Sequence, residues 1–129
     1  MLNKYQKRKT NEDGVAAVEL ALVLPILLII VFGILDFGLY FYNDLQLTHV
    51  ARDAARHLSV GDEAAASATI GNALLISTTI DSQSLDAGTT AEDATVTLTA
   101  TYQTLTPLPA LVGIGNTLGI DATAIMRRE

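Results

Sequence analysis

Glu19 stands four positions into an apolar run that starts at Val15, directly after Gly14. An ionisable group inside a membrane helix costs roughly 2.5–3.5 kcal/mol at the centre on insertion scales, and less near an interface. A cation nearby would lower that cost. Cutting the Gly14–Val15 bond would create one, an α-amine on Val15 that a neighbouring chain could present to the Glu19 carboxylate. Gly14 suits a cleavage point, because a peptidase needs an extended, exposed backbone and glycine puts no Cβ in its way. The plainer reading leaves Glu19 solvated at headgroup level.

Other residues invite chemistry and do not sustain it. Asp36-Phe37-Gly38 spells a kinase metal-binding triplet, but no Gly-rich loop and no strand lysine accompany it. His49, Asp53 and His57 recur every four residues and would share one helix face, where a metal could sit. A solvated helix face is the simpler account, and Asp53 could pair with Arg56 for ~0.3 kcal/mol. Ser59, Ser67, Ser77, Ser82 and Ser84 lack a nucleophile elbow. The expectation is therefore no catalytic residue, no metal, no cofactor and no enzyme activity.

The element that positions Glu19 is the apolar run. Residues 20–35 carry no charge, and the apolar stretch over residues 15–42 is interrupted only by Glu19 and Asp36. About 20 helical residues cross roughly 30 Å of hydrocarbon, so the run is long enough to span a membrane. A small domain could not surround such a helix on all sides, which argues against a buried core helix. Lys4, Lys7, Arg8 and Lys9 precede it, and the next basic residue is Arg52. This bias predicts a cytoplasmic N-terminus, with Tyr40, Phe41 and Tyr42 near the outer interface. A secretory signal peptide would end in small residues, whereas this run leads into Phe-Gly-Leu-Tyr-Phe-Tyr and is expected to stay. Pro25 predicts a kink or a loosened turn.

The chain has 129 residues and a formal net charge of −6, and removal of residues 1–14 would make that −8 with no lysine left. Such a body offers no basic face for nucleic acid. It contains no cysteine, which excludes disulfides and thiolate chemistry.

Helical periodicity continues beyond the membrane edge through Leu45, Leu47, Val50, Ala51, Ala54, Ala55 and Leu58, with Gly61 as the stop. A helix over 15–59 would be on the order of 65 Å long. Residues 62–75 predict a second helix with acidic residues in its first turn. The period then changes to two: residues 94–105 alternate Val96, Leu98, Ala100 and Tyr102 with threonines, as a half-buried strand does. Residues 118–126 predict another strand, 76–85 a weaker one, and the Pro/Gly-punctuated stretch between the two better strands a connection with one helical turn. The predicted fold is α+β: a long N-terminal transmembrane helix extending out of the membrane, a second helix and a small three-stranded antiparallel sheet.

A hydrophilic, basic leader ending at Gly14 just before an apolar run has the layout of a prepilin-type leader. The stretch over residues 14–56, GVAAVELALVLPILLIIVFGILDFGLYFYNDLQLTHVARDAAR, resembles the TadE-like motif of minor pilins, or pseudopilins, of tight-adherence pili. The matching pieces are Gly14, Glu19, the Ala-Leu-Val-Leu-Pro of 21–25, Gly33, Asp36-Phe37-Gly38, and Ala51-Arg52 with Ala55-Arg56. The closing ATAIMRRE also looks like the family's ending.

The resemblance implies processing by a prepilin peptidase and a part in assembling a type IV pilus that adheres to surfaces. It also implies partners among other pilins and pseudopilins, the assembly platform and inner-membrane lipid. Residues 1–14 would be a cytoplasmic leader, 15–59 the transmembrane and juxtamembrane helix, and 60–129 a small extracytoplasmic domain. The protein would then sit in a bacterial inner membrane as a single-pass protein, with its C-terminal domain periplasmic or extracellular, or be built into the pilus. The major pilins of this system are mostly a bare helix, so the outer domain points to a minor component. The alternative is an uncleaved, signal-anchored membrane protein whose outer domain binds a partner; an anchored enzyme lacks any candidate site.

Overall fold

A computed structural model describes residues 9–88, 93–111 and 113–128. Lys4, Lys7 and Arg8 of the expected leader, Val112 of the Pro/Gly connection and the closing Glu129 lie outside the described residues. The order of elements is α1 (Lys9–Ser59), α2 (Glu63–Gly71), β1 (Thr78–Asp86), β2 (Asp93–Gln103), α3 (Leu108–Leu111) and β3 (Thr117–Arg127). The strands form one antiparallel sheet in the order β1-β2-β3. The α+β expectation is met in its long apolar N-terminal helix, its second helix and its three-stranded antiparallel sheet.

The long helix begins at Lys9, upstream of Val15, and runs through Gly14 and Pro25. The chain divides into two units between Leu35 and Asp36. In the first, most of the large apolar side chains described in α1 are exposed, Leu22 at 71 % and Ile26 at 60 % among them, and Phe32 is half-buried.

In the second unit, residues 36–59 of α1 turn one face to the sheet. Asp36, Tyr40, Asn43, Leu47, Ala51, Ala54 and Leu58 recur at intervals of three and four, and all are buried except the half-buried Tyr40. Leu45, two residues before Leu47, falls off that face and is exposed. The strands meet the helix with Ala94, Val96, Leu98, Ala100 and Tyr102 from β2 and Ile120, Ala122 and Ala124 from β3. Ala66 and Ile70 of α2 complete the same cluster.

The edge strand β1 keeps its apolar residues inward by a bulge. Ile80 opposes Ala100 and Leu85 opposes Val96, but the register slips between Ile80 and Ser82. Ile80 and Leu85 are an odd number of residues apart and would face opposite sides of a regular strand. The extra residue, Asp81, returns both to the core side, and its carboxylate accepts from the Thr101 hydroxyl at 2.5 Å.

The end of α1 is closed by two 3.0 Å backbone bonds, Gly61 N–H to Leu58 O and Asp62 N–H to His57 O. Gly61 has φ +84, the left-handed value this closing motif requires. Asp62 then caps α2, its carboxylate accepting from Ala65 N–H at 2.9 Å.

Gly61→Ala should lower the unfolding free energy of the body by about 1–2 kcal/mol, because a Cβ is disfavoured at that φ. Gly38→Ala should leave it unchanged or raise it by up to about 1 kcal/mol, since Gly38 is helical and an added Cβ would meet nothing within 4 Å. Denaturant titration of the full chain in detergent, followed by circular dichroism, compares the two.

Candidate assembly site and the polar pins of the body

Gly14, Val15, Glu19 and Pro25 all lie on the exposed first part of α1. A Cβ built on Gly14 would meet nothing within 4 Å, so its backbone is open to approach. It is also helical, where an extended segment was expected. Glu19 follows Val15 by one helical turn and is flanked by the exposed Val18 and Leu20.

The motif residues of 36–56 divide into two groups. Asp36 is buried, 7 % exposed, and accepts hydrogen bonds from Tyr102 near the end of β2 and from Leu105 and Thr106 just after it. Leu105 N–H donates to its Oδ1 at 3.0 Å, the Thr106 hydroxyl donates to its Oδ2, and the Tyr102 hydroxyl lies 3.5 Å from Oδ1. Gly38, Arg52 and Arg56 are exposed. Arg52 and Arg56 line a shallow groove with His49, Asp53, Thr69 and Met126. Among the described residues no group of three or more His, Asp or Glu is placed to hold a metal ion.

Asn43 is a functional position not expected from the sequence. Its side chain is fully buried and donates to Leu39 O at 2.9 Å and Ile76 O at 2.8 Å, while Ile76 N–H donates to its Oδ1 at 2.8 Å. One amide thus pairs with both backbone groups of a single residue, as a neighbouring strand would. Ser77 follows with φ +51, an uncommon conformation for a residue with a Cβ, and its carbonyl accepts from Gln103 N–H at 2.7 Å. The signal was present: Asn43 falls on the same three-and-four spacing as Leu47 and Ala51. The partners of Asp36 carried no such signal, since nothing in the pattern of 105–106 relates it to α1.

Tyr102 is buried, packs edge-on against Tyr40 with ring centroids 6.2 Å apart, and reaches Asp36. Burial, and then the Asp36 charge, push its pKa above the ordinary tyrosine value. At the chain's end, the Arg128 guanidinium donates to Ala87 O at 3.2 Å and Gly88 O at 3.1 Å, which ties the end of β3 to the turn after β1.

One unit of the chain is an apolar helical segment and the other a small α+β body. The helix has the length and composition to cross a membrane, and none of its most apolar window is buried within the chain. Residues 14–56 match the family described as TadE-like protein, the family that the motif resembles and one of pilus-associated proteins. No curated protein and no solved structure gave a match.

Two outcomes are expected. Asp36→Leu should destabilise the body by about 1–3 kcal/mol, because it leaves the Leu105 N–H and two hydroxyls without their acceptor. Hydrogen exchange at Leu105 should quicken with it. The folded chain holds the Tyr102 proton at pH values where the unfolded chain has released it, so stability should fall as pH rises past about 10. Tyr102→Phe should flatten that fall in unfolding titrations between about pH 9 and 11.

Proposed function

We propose that the protein is a minor pilin, or pseudopilin, cut between Gly14 and Val15 by a prepilin peptidase and used in assembling a tight-adherence pilus. The observation that carries this reading is the placement of Gly14, Val15 and Glu19 within one exposed segment of α1, inside the matched stretch of residues 14–56. After the cut, Val15 would carry an α-amine one turn from Glu19. In lipid each charge is costly alone, and pairing between neighbouring subunits lowers the cost of both. The exposed apolar surface of 20–35 would then pack on other pilins, and Gly38 would serve contacts between chains, since the chain's own fold leaves the space around it open. Residues 1–14 would be the cytoplasmic leader, and the body would lie on the far side of the inner membrane, following the basic flank.

The second reading is an uncleaved, signal-anchored protein whose outer domain binds a partner. The observation favouring it is that α1 continues unbroken across Gly14 and Val15.

Intact mass of the protein from membranes, with and without the cognate peptidase, separates the two. Peptidase-dependent loss of residues 1–14 is expected; an unchanged full-length mass in both strains makes the anchor the better account. Glu19→Ala should spare membrane insertion and abolish piliation, and normal pili in that strain would remove Glu19 from assembly.

A further inference from the structure

The connection between β2 and β3 carries no charged residue from Gln103 to Ile120, in a chain that is otherwise acidic beyond its apolar run. It folds as a closed loop. Thr104 N–H donates to Asn116 O at 3.0 Å across its neck, and inside it Leu111 N–H donates to Pro107 O at 3.1 Å, Gly113 N–H to Ala110 O at 3.1 Å and Ile114 N–H to Pro109 O at 2.9 Å. Three of its large apolar side chains are nevertheless exposed, Leu105 at 60 %, Leu111 at 81 % and Ile114 at 65 %, while Leu108 is half-buried. A water-facing loop of this length ordinarily carries charged or polar tips.

The loop's position is fixed by the bonds from Leu105 and Thr106 to Asp36. Asp36 lies inside the apolar stretch of residues 15–42, and Phe37 and Phe41 beside it are themselves exposed. The loop is therefore tied to α1 at a level where the helix surface is still apolar.

We infer that the loop from Leu105 to Ile114 is a second membrane contact, inserting Leu105, Leu111 and Ile114 into the lipid interface where α1 leaves it. Three features fit lipid as the occupant. The loop brings no charge to be desolvated, part of its backbone is already paired internally, and its apolar tips continue the surface of the exposed aromatics on the helix. This rests on α1 spanning a membrane and is independent of any cleavage at Gly14.

The chain contains no tryptophan, so a single one reports its own surroundings. Full-length Leu111→Trp and Ile114→Trp, at exposed positions that tolerate the change, would be reconstituted in phosphatidylcholine vesicles whose acyl chains carry bromine near the headgroup. Leu27→Trp with bromine deep in the chain reports the span, and Ser84→Trp the water-facing body. Both loop variants should emit at shorter wavelength than Ser84→Trp and lose the larger part of their emission to brominated lipid, with little quenching by aqueous iodide. If Leu27→Trp is quenched by lipid while the loop variants are quenched only by iodide, the loop does not touch lipid and the inference is overturned, with the span intact. Loop emission insensitive to lipid but changing with protein density assigns the loop to a second copy, and equally overturns it. No lipid quenching at Leu27→Trp overturns the span and the loop contact together.

Discussion

The Asp36 carboxylate and the Asn43 amide face the sheet from one side of α1, two turns apart, and each grips backbone from a different loop. An apolar helix long enough to cross a membrane is poorly marked along its length, because one turn of Leu, Ile and Val resembles the next. Hydrophobic contact alone would let a small body slide along it at little cost. Polar groups that must be matched one to one permit a single register, since any slip leaves buried donors and acceptors unpaired at about 1–3 kcal/mol each. The rest of the body follows from that register. Leu47, Ala51, Ala54 and Leu58 come to lie under β2 and β3, and Tyr102 comes to lie between Tyr40 and Asp36.

The core is built largely from alanine, and this suits its size. Ala51, Ala54 and Ala55 on the helix meet Ala94, Ala100, Ala122 and Ala124 on the strands, with Val96, Leu98 and Ile120 between them. Small residues bury little area each, so stability depends on close contact over the whole helix face, and adding volume there forces strain. The polar pins supplement a core that has few large side chains to spare.

What could be read from residue order follows the same logic. The apolar run, the alternation in β2 and the turn at Gly61 are local patterns, and the structure realises each of them. The strand β1 was faint in the sequence because the bulge at Asp81 breaks the period of two that identifies a strand. Asn43 is legible as a polar residue on an apolar stripe. Asp36 stands in a family motif, but its hold on residues 105–106 depends on chain distant in sequence, which no periodicity encodes. The early start of α1 at Lys9 shows another limit: a glycine that suits cleavage does not by itself end a helix.

Asp62 belongs to two helices at once, giving its N–H to the end of α1 and its carboxylate to the start of α2. There is no slack between them. The azimuth of α2 about the sheet is thus geared to the azimuth of α1, so that one residue inserted before Gly61 would swing α2 by about 100° and carry Ala66 and Ile70 out of the core. Evolution of this body by adding or removing residues is thereby confined to its other loops, while the junction at 60–62 must keep its count.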